Sequence, residues 1–145
     1  MKVLVSRISK GEVLVSGKQI SLVSKGIVLF VGFDTGDSFE SLELIAKKVS
    51  NLRIFENDEG KLHYSVKDKD YQILCISNFT LCANTKKGNR PSFDDAMFPD
   101  QASKLFEEFV ELLKSKKIDV QTGIFGQHMD ININMDGPIN IVLDS

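Results

Sequence analysis

The sequence predicts one α/β domain in which two helices cover a curved, mixed β-sheet. Three features of the 145-residue chain carry that expectation. Short apolar segments with β-branched residues recur between turn signals. Two longer segments repeat apolar residues every three or four positions, the period of an amphipathic helix. The run Ile27 to Phe33 is apolar throughout, as a strand buried on both faces should be. The order of strands, helix, strands, helix, strands suits a single layered domain over residues 1–145.

The elements follow in chain order. Val3 and Val5 alternate with Leu4 and Ser6 in a first strand, and Val13 to Val15 read as a second. Gly17-Lys18 should turn the chain into Gln19 to Val23. Lys25-Gly26 opens the apolar run. Asp37 followed by Glu40 resembles a capping box, and Leu42, Ile45, Val49 and Leu52 then form one stripe of a first helix. Leu52 to Phe55 returns to strand character, and Glu56 to Gly60 is a polar turn. Strands over Leu62 to Ser65 and Tyr71 to Ile76 flank a charged turn, Lys67 to Asp70. A polar loop from Ala83 to Phe98 leads to a second helix starting at Pro99 or Asp100, where proline suits the first turn. Leu105, Phe106, Phe109, Leu112 and Leu113 supply its buried face, and Lys114, Lys116 and Lys117 suit the negative end of its dipole. Val120 to Asp144 reads as strands interrupted at Gly123, Gly126 and Gly137-Pro138.

Composition excludes several classes of function. Hydrophobic residues make up 42% and charged residues 26%, with a net charge of -2. A general nucleic-acid coat needs a strong positive excess, because phosphate contacts supply most of its affinity. A local basic patch for one RNA end remains compatible with this charge, and no DNA partner is expected. The longest apolar run is too short for a membrane span and no signal-peptide pattern opens the chain, so a cytoplasmic protein is expected. Cys75 and Cys82 fit neither a zinc spacing nor a CxxC motif and read as buried free thiols. His63 and His128 stand in unrelated contexts. No metal and no cofactor are expected.

Spacing reveals no GxSxG elbow, HExxH helix, phosphate-binding glycine loop or Ser-His-Asp set. Three stretches are nonetheless specific. Ser77-Asn78-Phe79-Thr80-Leu81 closes an apolar strand. It is either an ordinary turn or a row of hydroxyls facing a ligand. Lys86-Lys87-Gly88-Asn89-Arg90-Pro91-Ser92-Phe93 places three cations in one loop, either solvated or aimed at phosphates. Asp136-Gly137-Pro138 precedes the final strand, where a proline can start a strand in trans or occupy a cis bond.

In this order, with Arg7, Lys47 to Phe55 and Gly123-Ile124-Phe125-Gly126, these stretches resemble the D-aminoacyl-tRNA deacylase family along nearly the whole chain. The resemblance implies a homodimer that hydrolyses the ester between a D-amino acid and the tRNA 3′ end. Glycyl-tRNA follows as a second expected substrate, since glycine has no side chain to reject. Gly137 and Pro138 would form a cis-peptide filter that enters the partner subunit's pocket and excludes L side chains, with Arg7 holding the turn. Ser77, Asn78, Phe79, Thr80 and Leu81 would line the pocket, and Ala102, Phe125 and Met129 would shape its adenosine side. Lys86, Lys87 and Arg90 would contact the tRNA. The family mechanism uses the terminal ribose 2′-hydroxyl to assist water. Ser77 and Thr80 are the hydroxyl candidates for a chemical role, but no base stands by to activate Thr80, which ranks first as a pocket residue.

Four positions depart from the family pattern. Asn78 replaces a glutamine, Gln127 a small alanine, Met135 an asparagine and Asn140 a threonine. Asn134 is one place out of register, which on a strand turns its side chain to the other face. These changes leave open a relative that keeps the fold and binds nucleic acid without catalysis.

Overall fold

A computed structural model describes residues 1–145. Its strands are β1 (Lys2–Val15), β2 (Lys18–Val23), β3 (Gly26–Gly32), β4 (Phe55–Glu56), β5 (Leu62–Tyr64), β6 (Gln72–Ser77), β7 (Val120–Thr122) and β8 (Asp130–Asp144), and its helices are α1 (Phe39–Asn51) and α2 (Pro99–Ser115). Six strands form one sheet in the order β2-β1-β3-β6-β7, with β8 on the other edge of β1. The pairs β3–β6 and β6–β7 are parallel. A parallel pair needs a crossover, and α1 and α2 lie within those two connections. No helix is long and apolar enough to cross a membrane.

The central strands β3 and β6 are buried on both faces, which explains their uninterrupted apolar runs. Ile27, Leu29 and Val31 of β3 and Ile73 and Cys75 of β6 pack with Leu42, Ile45, Val49, Phe106, Phe109 and Leu113 of the helices. The alternate residues Val28, Leu74 and Ile76 join Ile8, Val13 and Val23 in a second cluster, capped by Met129, Ile131 and Ile133. Here the curled β1, β2 and β8 do on one face what the helices do on the other.

The structure departs from the sequence reading in five places. The two N-terminal strands are one 14-residue strand. Its polar middle, Ser9 to Glu12, stays extended because three partners share the strand: β3 and β2 take successive halves of one edge while β8 runs along the other. Gly11 at this midpoint lets Leu74 approach to 2.9 Å from where a Cβ would stand. The hairpin turn is Ser16-Gly17, with φ of 50 and 76, one residue earlier than Gly17-Lys18.

Asp37 does not cap α1. Ser38 occupies the cap position without a side-chain cap, and its hydroxyl donates to Glu40. The Asp37 carboxylate instead accepts the Asp34 amide at 2.7 Å and pairs with the Met1 α-ammonium. The strand expected over Leu52 to Phe55 is reduced to Phe55–Glu56, because Leu52 is the helix C-cap. Finally, Gly137-Pro138 does not end a strand but lies within β8. Both cysteines are free and buried, and burial pushes the Cys82 thiol up to about 11.

Candidate functional site

The C-terminal ends of the parallel strands β3 and β6 open into a cleft of 740 Å³. Ligand sites of open α/β sheets occur at such strand ends. Phe33, Ser77, Asn78, Phe79 and Thr80 form its floor and one wall. Phe93, Met97 and Phe98 from the long loop, with Pro99 and Ala102 from the start of α2, form another. Phe125, Gly126, Gln127, His128 and Met129 close it from the loop after β7. Thirteen of its 21 lining residues are hydrophobic, and none is Asp, Glu, Lys or Arg. A cleft of this kind holds an apolar or aromatic group and orients it with few polar contacts.

After β6 the chain tightens into a short 3-10 helix, Phe79–Cys82. Asn78 starts it: its Oδ1 accepts the Thr80 amide at 3.2 Å and also the Thr80 hydroxyl. Such an Asx turn is a usual way for asparagine to begin a turn. The Thr80 hydroxyl therefore donates to an amide oxygen, which cannot accept a proton as a base does. Gly32 lets this turn sit against β3, since a Cβ there would stand 2.8 Å from the Asn78 carbonyl oxygen and 3.2 Å from Leu81 Cβ.

Aromatic rings crowd the mouth of the cleft. Phe79 and Phe93 meet edge-to-face at 5.0 Å, and Phe125 leans on Phe106 at 6.1 Å. Phe79 and Phe98 are 58% and 75% exposed, an unusual amount of phenyl surface to leave in water. His128 is the one titratable side chain in the lining and pairs loosely with Asp130 at 3.8 Å.

A second constellation lies on β1 and β8. Ser6 pairs with Asn140 and Ile8 with Met135, so Asp136 to Ile139 stand opposite Arg7 alone. The four residues leave the ladder as a wide bulge. It carries the cis peptide Gly137-Pro138, with Gly137 at φ 147. A Cβ at Gly137 would collide with the Ile139 amide. Arg7 is 7% exposed. Its Nε donates to the Asp136 carbonyl at 3.0 Å and its Nη1 to the Ile54 carbonyl at 2.8 Å. Carboxylates of Asp136 and Glu56 lie at 3.3 and 3.5 Å. These partners offset the cost of burying the guanidinium.

The structure thus gathers Ser77, Asn78, Phe79, Thr80, Ala102, Phe125 and Met129 around one cleft. Leu81, expected in the same lining, is not part of it; the 3-10 turn packs it against β3 beside Gly32. Gly137, Pro138 and Arg7 do not line this chain's own cleft either. Lys86, Lys87 and Arg90 are exposed, take part in no ion pair and lie on a loop closed by the Asn84–Ser92 bridge. Sequence reading passed over Met97, Phe98 and His128 as lining residues, because isolated residues in a loop carry no local signal.

Comparison with known proteins follows the same geometry. The family model described as D-Tyr-tRNA(Tyr) deacylase matches residues 4–144. A D-aminoacyl-tRNA deacylase of Clostridium acetobutylicum is 42% identical over 145 residues, covering 100% of this chain and 97% of the relative. Among solved structures, one described as c-Myc DNA Unwinding Element Binding Protein superposes with a TM-score of 0.94 at 40% identity, covering 100% of this chain and 99% of the other. A second, described as "a probable eukaryotic D-amino acid tRNA deacylase", shares the fold at a TM-score of 0.86 and 17% identity, covering 99% and 98%. With a family model matched from β1 to β8 and relatives this similar over their full length, the chain belongs to the D-Tyr-tRNA(Tyr) deacylase family.

Proposed function

We propose that the protein hydrolyses the ester between a D-amino acid, or glycine, and the 3′ end of tRNA. The observation that carries this reading is a cleft with exposed aromatic rings and no carboxylate, amine or guanidinium in its lining. Such walls suit an adenosine against Phe125 and Met129 and an aminoacyl group near Ser77 and Thr80. Their one titratable side chain, His128, is 93% exposed and bonded to neither Ser77 nor Thr80, so the walls hold no general base against either hydroxyl. Water then attacks the ester carbonyl with help from the substrate's own ribose 2′-hydroxyl. The bond from carbonyl carbon to the water oxygen forms, the bond to O3′ breaks, and the proton passes to O3′. Thr80, tied to Asn78, is a pocket residue on this reading.

Chiral selection belongs to Gly137 and Pro138, held by Arg7. Since they do not line their own cleft, the reading requires a homodimer in which the bulge of one subunit reaches the cleft of its partner. Two features of β8 support association: it is an edge strand paired only with β1, and Val142 and Met135 on it are 72% and 48% exposed. Lys86, Lys87 and Arg90, free of ion pairs, serve as phosphate contacts for the acceptor end.

A second reading, nucleic-acid binding without turnover, draws on the described name of the 40%-identical structure and on the basic loop. Both are tested by incubating purified protein with D-tyrosyl-, L-tyrosyl- and glycyl-tRNA. Release from the D and glycyl substrates with the L substrate spared supports the hydrolase. Tight binding to uncharged RNA or DNA with no release from any substrate supports the second reading.

A further inference from the structure

We infer that Ser6 and Asn140 are positioning residues for chiral rejection, fixing the far end of the Asp136 to Ile139 bulge as Arg7 fixes the near end. The inference rests on the reading of Gly137 and Pro138 as the filter and extends it to two residues that do not line the cleft.

A bulge is free to sway unless its two ends are tied, because its residues have left the ladder. The near end is held through the Asp136 carbonyl by Arg7 Nε at 3.0 Å. At the far end, the Ser6 hydroxyl donates to Asn140 Oδ1 at 2.6 Å. Ser6 is 3% exposed and sits beside Arg7 on β1, directly opposite Asn140 in the register. Adjacent residues of one strand therefore clamp both sides of the excursion. Between the clamps, Ile139 packs on the larger core, while Gly137 and Pro138 are exposed. Loss of the Ser6 contact leaves the core and both cleft walls untouched but lets the exposed segment move about its remaining tie. Rejection by an obstacle depends on the obstacle holding still. Turnover of a substrate that never meets it does not.

The test compares Ser6→Ala, Asn140→Leu, their double variant and the conservative Asn140→Asp, which keeps the acceptor. Hydrolysis of D-tyrosyl-, L-tyrosyl- and glycyl-tRNA is measured for each, with glycyl-tRNA as the internal standard. The expected result is a rise of about tenfold in the L-to-D rate ratio for Ser6→Ala and Asn140→Leu, the worth of one hydrogen bond. The double variant should be no worse than either single one, and Asn140→Asp should retain rejection. An unchanged ratio in Ser6→Ala, additive losses in the double variant, or an equal fall with all three substrates would overturn the inference. If the wild-type protein releases neither D-tyrosine nor glycine, the proposed function itself fails. The clamp is then decided by hydrogen exchange of the Gly137 and Ile139 amides. Exchange about tenfold faster in Ser6→Ala upholds it, and unchanged exchange overturns it.

Discussion

Replacing Gly32 with alanine should damage the cleft through a single methyl group. Gly32 ends β3, and the new Cβ would stand 2.8 Å from the Asn78 carbonyl oxygen, 3.0 Å from Cys82 Sγ and 3.2 Å from Leu81 Cβ. Ordinary contact begins near 3.4 Å, so the 3-10 turn must retreat by about 0.6 Å. It cannot retreat freely, because the Asn78 amide is tied to the Val31 carbonyl at 2.7 Å. Overpacking of this kind costs about 2 kcal/mol, which in a domain of this size lowers Tm by roughly 5–10 °C. The turn carries Phe79 and Thr80, and a displacement of this order at a reacting centre costs about tenfold in kcat/KM. Thermal melting and glycyl-tRNA hydrolysis measure the two effects. Gly60→Ala provides the control: its φ of 75 strains the variant, but nothing lies within 4 Å of the new Cβ and the residue is outside the cleft. If Gly32→Ala loses no more activity than Gly60→Ala at a similar loss of Tm, the turn is not positioned as argued.

Three further outcomes follow from the same geometry. Thr80→Ala removes a hydroxyl bonded only to Asn78 and should lower kcat by about tenfold or less; abolition of turnover with folding and tRNA binding intact would make Thr80 the nucleophile. Changing Lys86, Lys87 and Arg90 together to alanine breaks no ion pair. It should leave Tm unchanged while weakening tRNA binding, with the slope of log K against log salt falling by about 2; an unchanged slope would remove the loop from the RNA interface. The Ser65 amide and hydroxyl, bonded to the Asp68 carboxylate, hold its pKa below the ordinary 3.8. A lowered folded pKa contributes stability above the unfolded value, lost as pH falls through the folded one. Melts of wild type and Asp68→Asn should therefore differ most at neutral pH and converge in acid, and a gap that widens in acid would contradict the assignment.

The folding pattern was legible where one physical rule governs a segment. The stripe Leu42, Ile45, Val49 marks α1, and Pro99 marks the first turn of α2, because both depend on neighbours within a few residues. The run Ile27 to Val31 announces burial on both faces for the same reason, its two sets of side chains entering two cores. Cleft residues such as Ser77, Phe79 and Thr80 were legible only through the ordered resemblance to a known family, because composition alone fits an ordinary turn at the strand end. Met97 and Phe98 were not, since they gain meaning only when loops distant in sequence meet. Asp37 was misread because its carboxylate turns back to the Asp34 amide three residues earlier and to Met1, which reaches it only in the folded chain.

Sequence alone therefore determined the two helices and the order in which helices and strands alternate, but not every strand's bounds, since local periodicity and burial encode only the former. The tertiary structure decided three things that periodicity cannot encode. It kept β1 continuous through a polar middle, because β2, β3 and β8 together satisfy its backbone. It placed Gly137-Pro138 in a bulge tied by Arg7 and Ser6 rather than in a turn between strands, because the register with β1 slips only there and at the residue pair beyond. It also left that bulge outside its own cleft, a spatial relation between residues up to about a hundred positions apart, which no local pattern records.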